Sequence, residues 1–172
     1  MSWEKHLEHW LVLERVGGLD WFFIALSWIG QLGLVWIVIA LALAVLWRRP
    51  SLFLTVVVAD VIADLLAELG KTVFDRHRPF ETQLGPPSST HSFPSGHSAT
   101  AFACATVLAS LAPRWRGPFF LLAALIALSR VYNALHYPTD VLAGGALGAL
   151  VGLAILRASK RGWRLRPAAG IE

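Results

Sequence analysis

The chain has 172 residues, room for one domain spanning residues 1–172. Hydrophobic residues make up 56% and charged residues 15%, against roughly 25% charged in a soluble domain. That balance excludes an ordinary soluble protein and predicts an all-α chain embedded in the lipid bilayer. The net charge of +4 does not point to nucleic acid, because most basic residues sit at the ends of apolar blocks. Cys104 is the only cysteine, so no internal disulfide can form, and a lone thiol cannot build a metal site by itself.

In chain order, residues 3–15 place Leu7, Trp10 and Leu11 at helical spacing, with Lys5, Glu8 and Arg15 elsewhere, as in a helix lying on a membrane surface. Glu4, Glu8 and Glu14, with no small-residue cleavage site, argue against a cleavable signal. Five apolar stretches follow as candidate spans: 19–47, 52–73, 96–111, 118–133 and 138–156. The first is long enough to tilt or to bend near Gly30 or Gly33. In the last, Gly144, Gly148 and Gly152 recur every fourth position, which predicts close helix packing within the chain. The expected architecture is a membrane helical bundle of about five spans plus the N-terminal interfacial helix.

Lysine and arginine bias sets an orientation. Arg48 and Arg49, Arg114 and Arg116, and Arg157, Lys160, Arg161, Arg164 and Arg166 share one side by parity, the cytoplasmic one. Trp47, Trp115 and Trp163 fit one aromatic belt, and Trp3, Trp10 and Trp21 the other.

The opposite end gathers four polar clusters. Lys71, Arg76 and Arg78 follow the second span, and Ser92 to Ser98 lead into the third. Ser129 and Arg130 close the fourth, and His136 and Asp140 open the fifth. Cations and imidazoles collected at a bilayer face need an anion, and phosphoryl transfer is the chemistry that fits. Lys71, Arg78 and Arg130 can hold the equatorial oxygens, while Ser95 and Gly96 offer backbone amides at a helix start. A neutral imidazole can attack phosphorus. Asp140, four residues after His136, is placed to steady that ring, which leaves His97 as general acid and base.

The spacing of these residues resembles the signature of the phosphatidic acid phosphatase type 2 superfamily. Lys71, six residues, then Arg78-Pro79 forms its first part. Pro94-Ser95-Gly96-His97 forms its second, and Ser129-Arg130, five residues, His136, three residues, Asp140 its third. The resemblance implies a metal-independent hydrolase of membrane lipid phosphates needing no cofactor. His136 is then nucleophile, Asp140 its partner and His97 acid/base, with Lys71, Arg78, Ser95, Gly96 and Arg130 binding phosphate. The shortened form is similar to small bacterial members at the inner membrane. It favours undecaprenyl diphosphate as substrate, ahead of phosphatidylglycerophosphate, phosphatidic acid and lipid A. A phosphotransferase and a non-enzymatic lipid-phosphate binder or transporter are the alternatives.

Asp60, Asp64 and Glu68 share one helix face below Lys71. They read either as carboxyls supporting Lys71 or Arg130 and a proton path, or as groups paired with Gln31, Ser27 or Thr100. His77 and His91 read as loop residues. Asp75, Arg76 and Glu81 are candidate headgroup contacts, and residues 82–90 have the composition of a loop at the pocket lip.

Overall fold

A computed structural model describes residues 3–79, 82–85 and 91–162 of the chain. It contains seven α-helices: α1 (Trp3–Leu13), α2 (Gly17–Ile29), α3 (Leu34–Leu46), α4 (Pro50–Phe74), α5 (Gly96–Leu111), α6 (Arg116–Tyr132) and α7 (Pro138–Gly162). Short 3-10 turns lead into α3 and α6. Among the described residues the only β pairing is an isolated bridge between His77 and His91. Glu81, Trp163, Arg164, Arg166 and positions 86–90 of the expected lip lie outside the described residues.

The first apolar stretch is two helices. α2 and α3 meet at 61° across Gly30–Gly33. Gly33 has φ +65, and any side chain on it would run into the Asp60 carboxyl, so both conformation and space demand glycine there. By length and composition, Pro138–Ser159 of α7 can cross a membrane alone, and bent α2–α3 qualifies as a pair. Helices α5 and α6, at 16 and 17 residues, fall short of the roughly 20 residues of a simple span. Helix length alone therefore supports fewer crossings than the five read from the sequence.

α5 is the centre of the bundle and packs on α4, α6 and α7. Its alanines 99, 101, 103 and 105 are buried and let neighbouring backbones approach. The glycine stripe of α7 lies against it: a side chain at Gly144 would strike the Ser95 carbonyl, and one at Gly148 the Ala99 carbonyl. The stripe thus joins α7 to α5 within the chain. Large apolar side chains such as Leu46, Leu65, Val73, Leu121 and Leu142 point outward. The α5–α7 seam buries small residues, as packing in lipid favours, while Trp36, Leu108 and Ile126 fill the rest of the core.

α1 is a helix, as its periodicity predicts, but its polar face is the anchored one. Glu4 and Glu8 are buried while Trp3, Trp10 and Leu13 are exposed. Eleven residues make a marginal helix alone, so α1 depends on this docking.

Candidate active site

The site lies where α4 and α6 end and α5 and α7 begin. Ser95 caps α5, its hydroxyl accepting from the Ser98 amide at 3.4 Å. The Ser95 amide donates to the Asp140 carbonyl at 3.0 Å, tying the start of α5 to the start of α7. α6 ends at Asn133, and the amides of Leu135 and His136 both turn back to the Arg130 carbonyl, at 3.0 and 3.1 Å. This tight return, with Ala134 at φ 53, carries His136 inward, where it is 2% exposed.

The hydrogen bonds of His136 define its tautomer. Nδ1 lies 2.7 Å from the Ser92 carbonyl, which can only accept, so Nδ1 carries the hydrogen. Nε2 lies 3.0 Å from Nη1 of Arg78, which can only donate, so Nε2 presents its lone pair. Burial holds the imidazole well below the ordinary histidine range, and the charges of Arg78, Arg130 and Lys71 push it the same way. It is therefore a neutral imidazole with Nε2 facing a guanidinium.

Asp140 is fully buried, but its Oδ2 is 3.7 Å from Nδ1 of His136, beyond a hydrogen bond. The partner that fixes the ring is the Ser92 backbone, and the Asp140 carboxylate acts across a gap. Its own contacts are Nη1 of Arg76 at 2.5 Å and the Tyr137 amide at 2.9 Å. Arg76 in turn stacks 4.2 Å over the Tyr137 ring and bonds Glu4 Oε2 at 2.8 Å. Glu4 also accepts from Thr139 through Oγ1 at 2.6 Å and the amide at 3.2 Å. Its partial burial works against ionisation, but the Thr139 and Arg76 contacts outweigh it and hold this carboxyl below the usual 4.5. A chain of contacts thus runs from α1 through Arg76 to Asp140.

Three cations close in. Arg78 is buried, and its Nη1 also donates to the Leu135 carbonyl. Burial lowers its guanidinium to about 10 against the raising effect of Asp140 and Glu68, which leaves it charged at neutral pH. Arg130 is buried and donates to Ser27 Oγ on α2, while its Nε has no hydrogen-bond partner. Lys71 Nζ contacts Glu68 at 2.5 Å and lies 3.8 Å from where a side chain on Gly96 would begin. His97, in the first turn of α5, is within electrostatic range of Arg130, His136 and Lys71, and its buried Nε2 has no hydrogen-bond partner. Lys71, Arg78, Ser95, Gly96, His97, Arg130, His136 and Asp140 are therefore brought to one end of the bundle.

The lower carboxylates divide. Glu68 meets Lys71. Asp60 sits against Gly33 and accepts a 3.7 Å contact from the Cys104 thiol, while Ser27, one of its expected partners, serves Arg130. Ser92, Arg76, Glu4 and Ser27 were not expected in these roles. Ser92 had a signal, since it begins the run that leads into His97. Ser27 is an isolated polar residue in an apolar stretch.

With the relatives that follow, this cluster of imidazoles, carboxylate and cations at one end of a helical bundle with an apolar exterior marks a lipid phosphatase. The chain belongs to the PAP2 superfamily, whose family model matches residues 50–164. It is 33% identical over 144 residues to an undecaprenyl-diphosphatase of Sulfolobus acidocaldarius, covering 80% of this chain and 69% of that protein. It is 40% identical over 115 residues to a lipid A 1-phosphatase of Rhizobium johnstonii, covering 64% of this chain and about half, 47%, of that protein. The crystal structure of a transmembrane PAP2-type phosphatidylglycerolphosphate phosphatase from Bacillus subtilis superimposes with a TM-score of 0.78 at 25% identity. That match covers 95% of this chain and 87% of the other.

Proposed function

We propose that this chain hydrolyses a lipid phosphate or diphosphate through a phosphohistidine on His136, without a metal ion, and that its substrate is undecaprenyl diphosphate. The observation that carries the reading is the neutral His136 ring, with its Nε2 lone pair directed 3.0 Å toward Arg78. A substrate phosphate entering between them takes over the guanidinium and meets the lone pair. Nε2 forms the N–P bond as the P–O bond to the leaving group breaks, and His97 gives that oxygen its proton. His97 then takes a proton from water as the water oxygen attacks phosphorus and the N–P bond breaks. Asp140 steadies the transient imidazolium, while Nδ1–H stays on Ser92. Lys71, Arg78, Arg130 and the Gly96 amide bear the charge of the phosphoryl oxygens, and Ser95, whose amide is held by the Asp140 carbonyl, offers its hydroxyl.

The name of the Sulfolobus relative supports the substrate, and the arginine distribution supports a site on the non-cytoplasmic face of a bacterial inner membrane. In that topology bent α2–α3, α4, α5, α6 and α7 make five crossings and α1 lies at the interface. Purified chain in detergent with EDTA is offered undecaprenyl diphosphate, phosphatidylglycerophosphate, phosphatidic acid and lipid A. Fastest phosphate release from the diphosphate supports the substrate assignment, and preference for another lipid reassigns it. Transfer to an alcohol acceptor in place of water marks a phosphotransferase. No release from any lipid overturns the enzyme reading.

A further inference from the structure

α6 and α7 both lean on α5 and hardly touch one another. The furrow between them holds an apolar groove of about 660 Å³ that includes Phe120, Val131, Leu142 and Ala146. Phe120 also lines an adjoining pocket of about 400 Å³ with Ser110, Arg116 and Arg157. These three polar residues stand at the end of the bundle away from His97, Arg130 and Asp140, which occupy the other ends of the same helices. Neither Arg116 nor Arg157 has an ion-pair or hydrogen-bond partner among the described residues.

None of the catalytic groups lines the furrow, although its far end reaches Val131, Pro138 and Val141, next in sequence to Arg130 and around Asp140. On α6 it uses Phe120, Ala127 and Val131, whereas Arg130 shares the neighbouring buried stripe with Ile126 and Ala123. From Phe120 to Val131 the groove runs roughly 16 Å along the helix, a depth that takes one extended acyl chain. Two guanidiniums at the mouth of an apolar slot of that depth match the headgroup phosphate and one acyl chain of a membrane lipid.

We propose that the α6–α7 furrow is a second lipid site, which holds an anionic glycerophospholipid with its phosphate between Arg116 and Arg157 and an acyl chain along Phe120 and Ala146. The site rests on the membrane-spanning reading and places this lipid's phosphate at the end of the bundle opposite the catalytic one, with its chain directed toward the catalytic end. Its phosphate site is separate from the catalytic one, because Arg116 and Arg157 stand at the opposite ends of α6 and α7 from Arg130 and Asp140.

The test is native mass spectrometry of the full chain in detergent, titrated with phosphatidylglycerol or phosphatidylcholine of identical acyl chains. The wild type is expected to retain phosphatidylglycerol in preference. The R116Q/R157Q variant should bind it roughly 30-fold more weakly, from about one unit of surface electrostatic attraction per arginine. Ala146→Trp, which fills the groove, should weaken both lipids. Phosphate release by R116Q/R157Q in lipid-free detergent should match wild type. Equal binding of the two lipids by wild type overturns the proposal without any variant. So does undiminished binding by R116Q/R157Q or by Ala146→Trp, or displacement of the lipid by millimolar inorganic phosphate, which marks a soluble-anion site. Binding is read without turnover, so an inactive wild type counts against the proposed function and not against this site.

Discussion

Replacing Glu4 by alanine removes the contact that docks α1 and steadies Arg76. Its carboxylate makes a 2.8 Å ion pair with Arg76 and accepts two bonds from Thr139, at 2.6 and 3.2 Å. A hydrogen bond to a charged group is worth about 1.5–3 kcal/mol. The Arg76 side chain is 30% exposed, so solvent screens part of its share. The three contacts also act on one group and do not add in full. The expected loss is about 2–4 kcal/mol, read as a fall of several degrees in thermal unfolding in detergent. Arg76 keeps its 2.5 Å bond to Asp140 but loses its outer anchor, so kcat/KM should fall roughly 10-fold as Asp140 drifts. The folded carboxyl titrates below its usual 4.5, so the stabilisation is complete above that value and is lost as pH falls through the folded one. Glu4→Gln, which keeps the Thr139 contacts, should remove this acid dependence at a smaller cost. Unfolding temperature and turnover both equal to wild type in Glu4→Ala refute the clamp.

Asp140→Asn should lower kcat by roughly 10²- to 10⁴-fold with a smaller change in KM, measured by phosphate release, because the imidazolium of the intermediate loses its anionic neighbour. Gly148→Ala forces a side chain onto the Ala99 carbonyl and to 2.9 Å from the Ala103 amide nitrogen. It should destabilise the α5–α7 seam by about 1–3 kcal/mol in chemical unfolding. Gly117→Ala meets nothing within 4 Å and should be neutral or stabilising. The acid limb of kcat/KM, which reports the free enzyme, should lie below pH 6.5, because burial and the surrounding cations hold His136 neutral beneath the usual 6.5. The same depression makes neutral His136 contribute stability above pH 6.5 that fades as pH falls below it. An acid limb at or above 6.5 contradicts the burial seen here.

The end of the bundle that carries the site was legible because helix parity is a strong constraint. Once the apolar stretches alternate in direction, Lys71, Arg78, His97, Arg130 and His136 fall together even though they are far apart in sequence. The glycine stripe and the break near Gly30–Gly33 were legible for a related reason, since glycine in an apolar helix marks close approach or a bend. The supporting contacts were not. Nothing in spacing says that Arg76 reaches both Glu4 and Asp140, because those pairings span 72 and 64 positions. The carbonyl that orients His136 belongs to Ser92; the run leading into His97 marked the segment, but every residue has a carbonyl, so side-chain identity carried no signal for that bond. Asp140 illustrates the difference between the two levels. Its spacing from His136 correctly put it beside the ring, but the 3.7 Å gap comes from the Arg76 bond and the Tyr137 amide, which hold it back.

The most direct test of the account is rapid acid-free quenching of wild type turning over undecaprenyl diphosphate in EDTA, followed by mass spectrometry of the peptide carrying His136. The account predicts a phosphate on the His136 imidazole at Nε2 that appears before free phosphate accumulates, and neither adduct nor turnover in a folded His136→Ala variant. Turnover retained by that variant, or phosphate trapped on another residue, contradicts it.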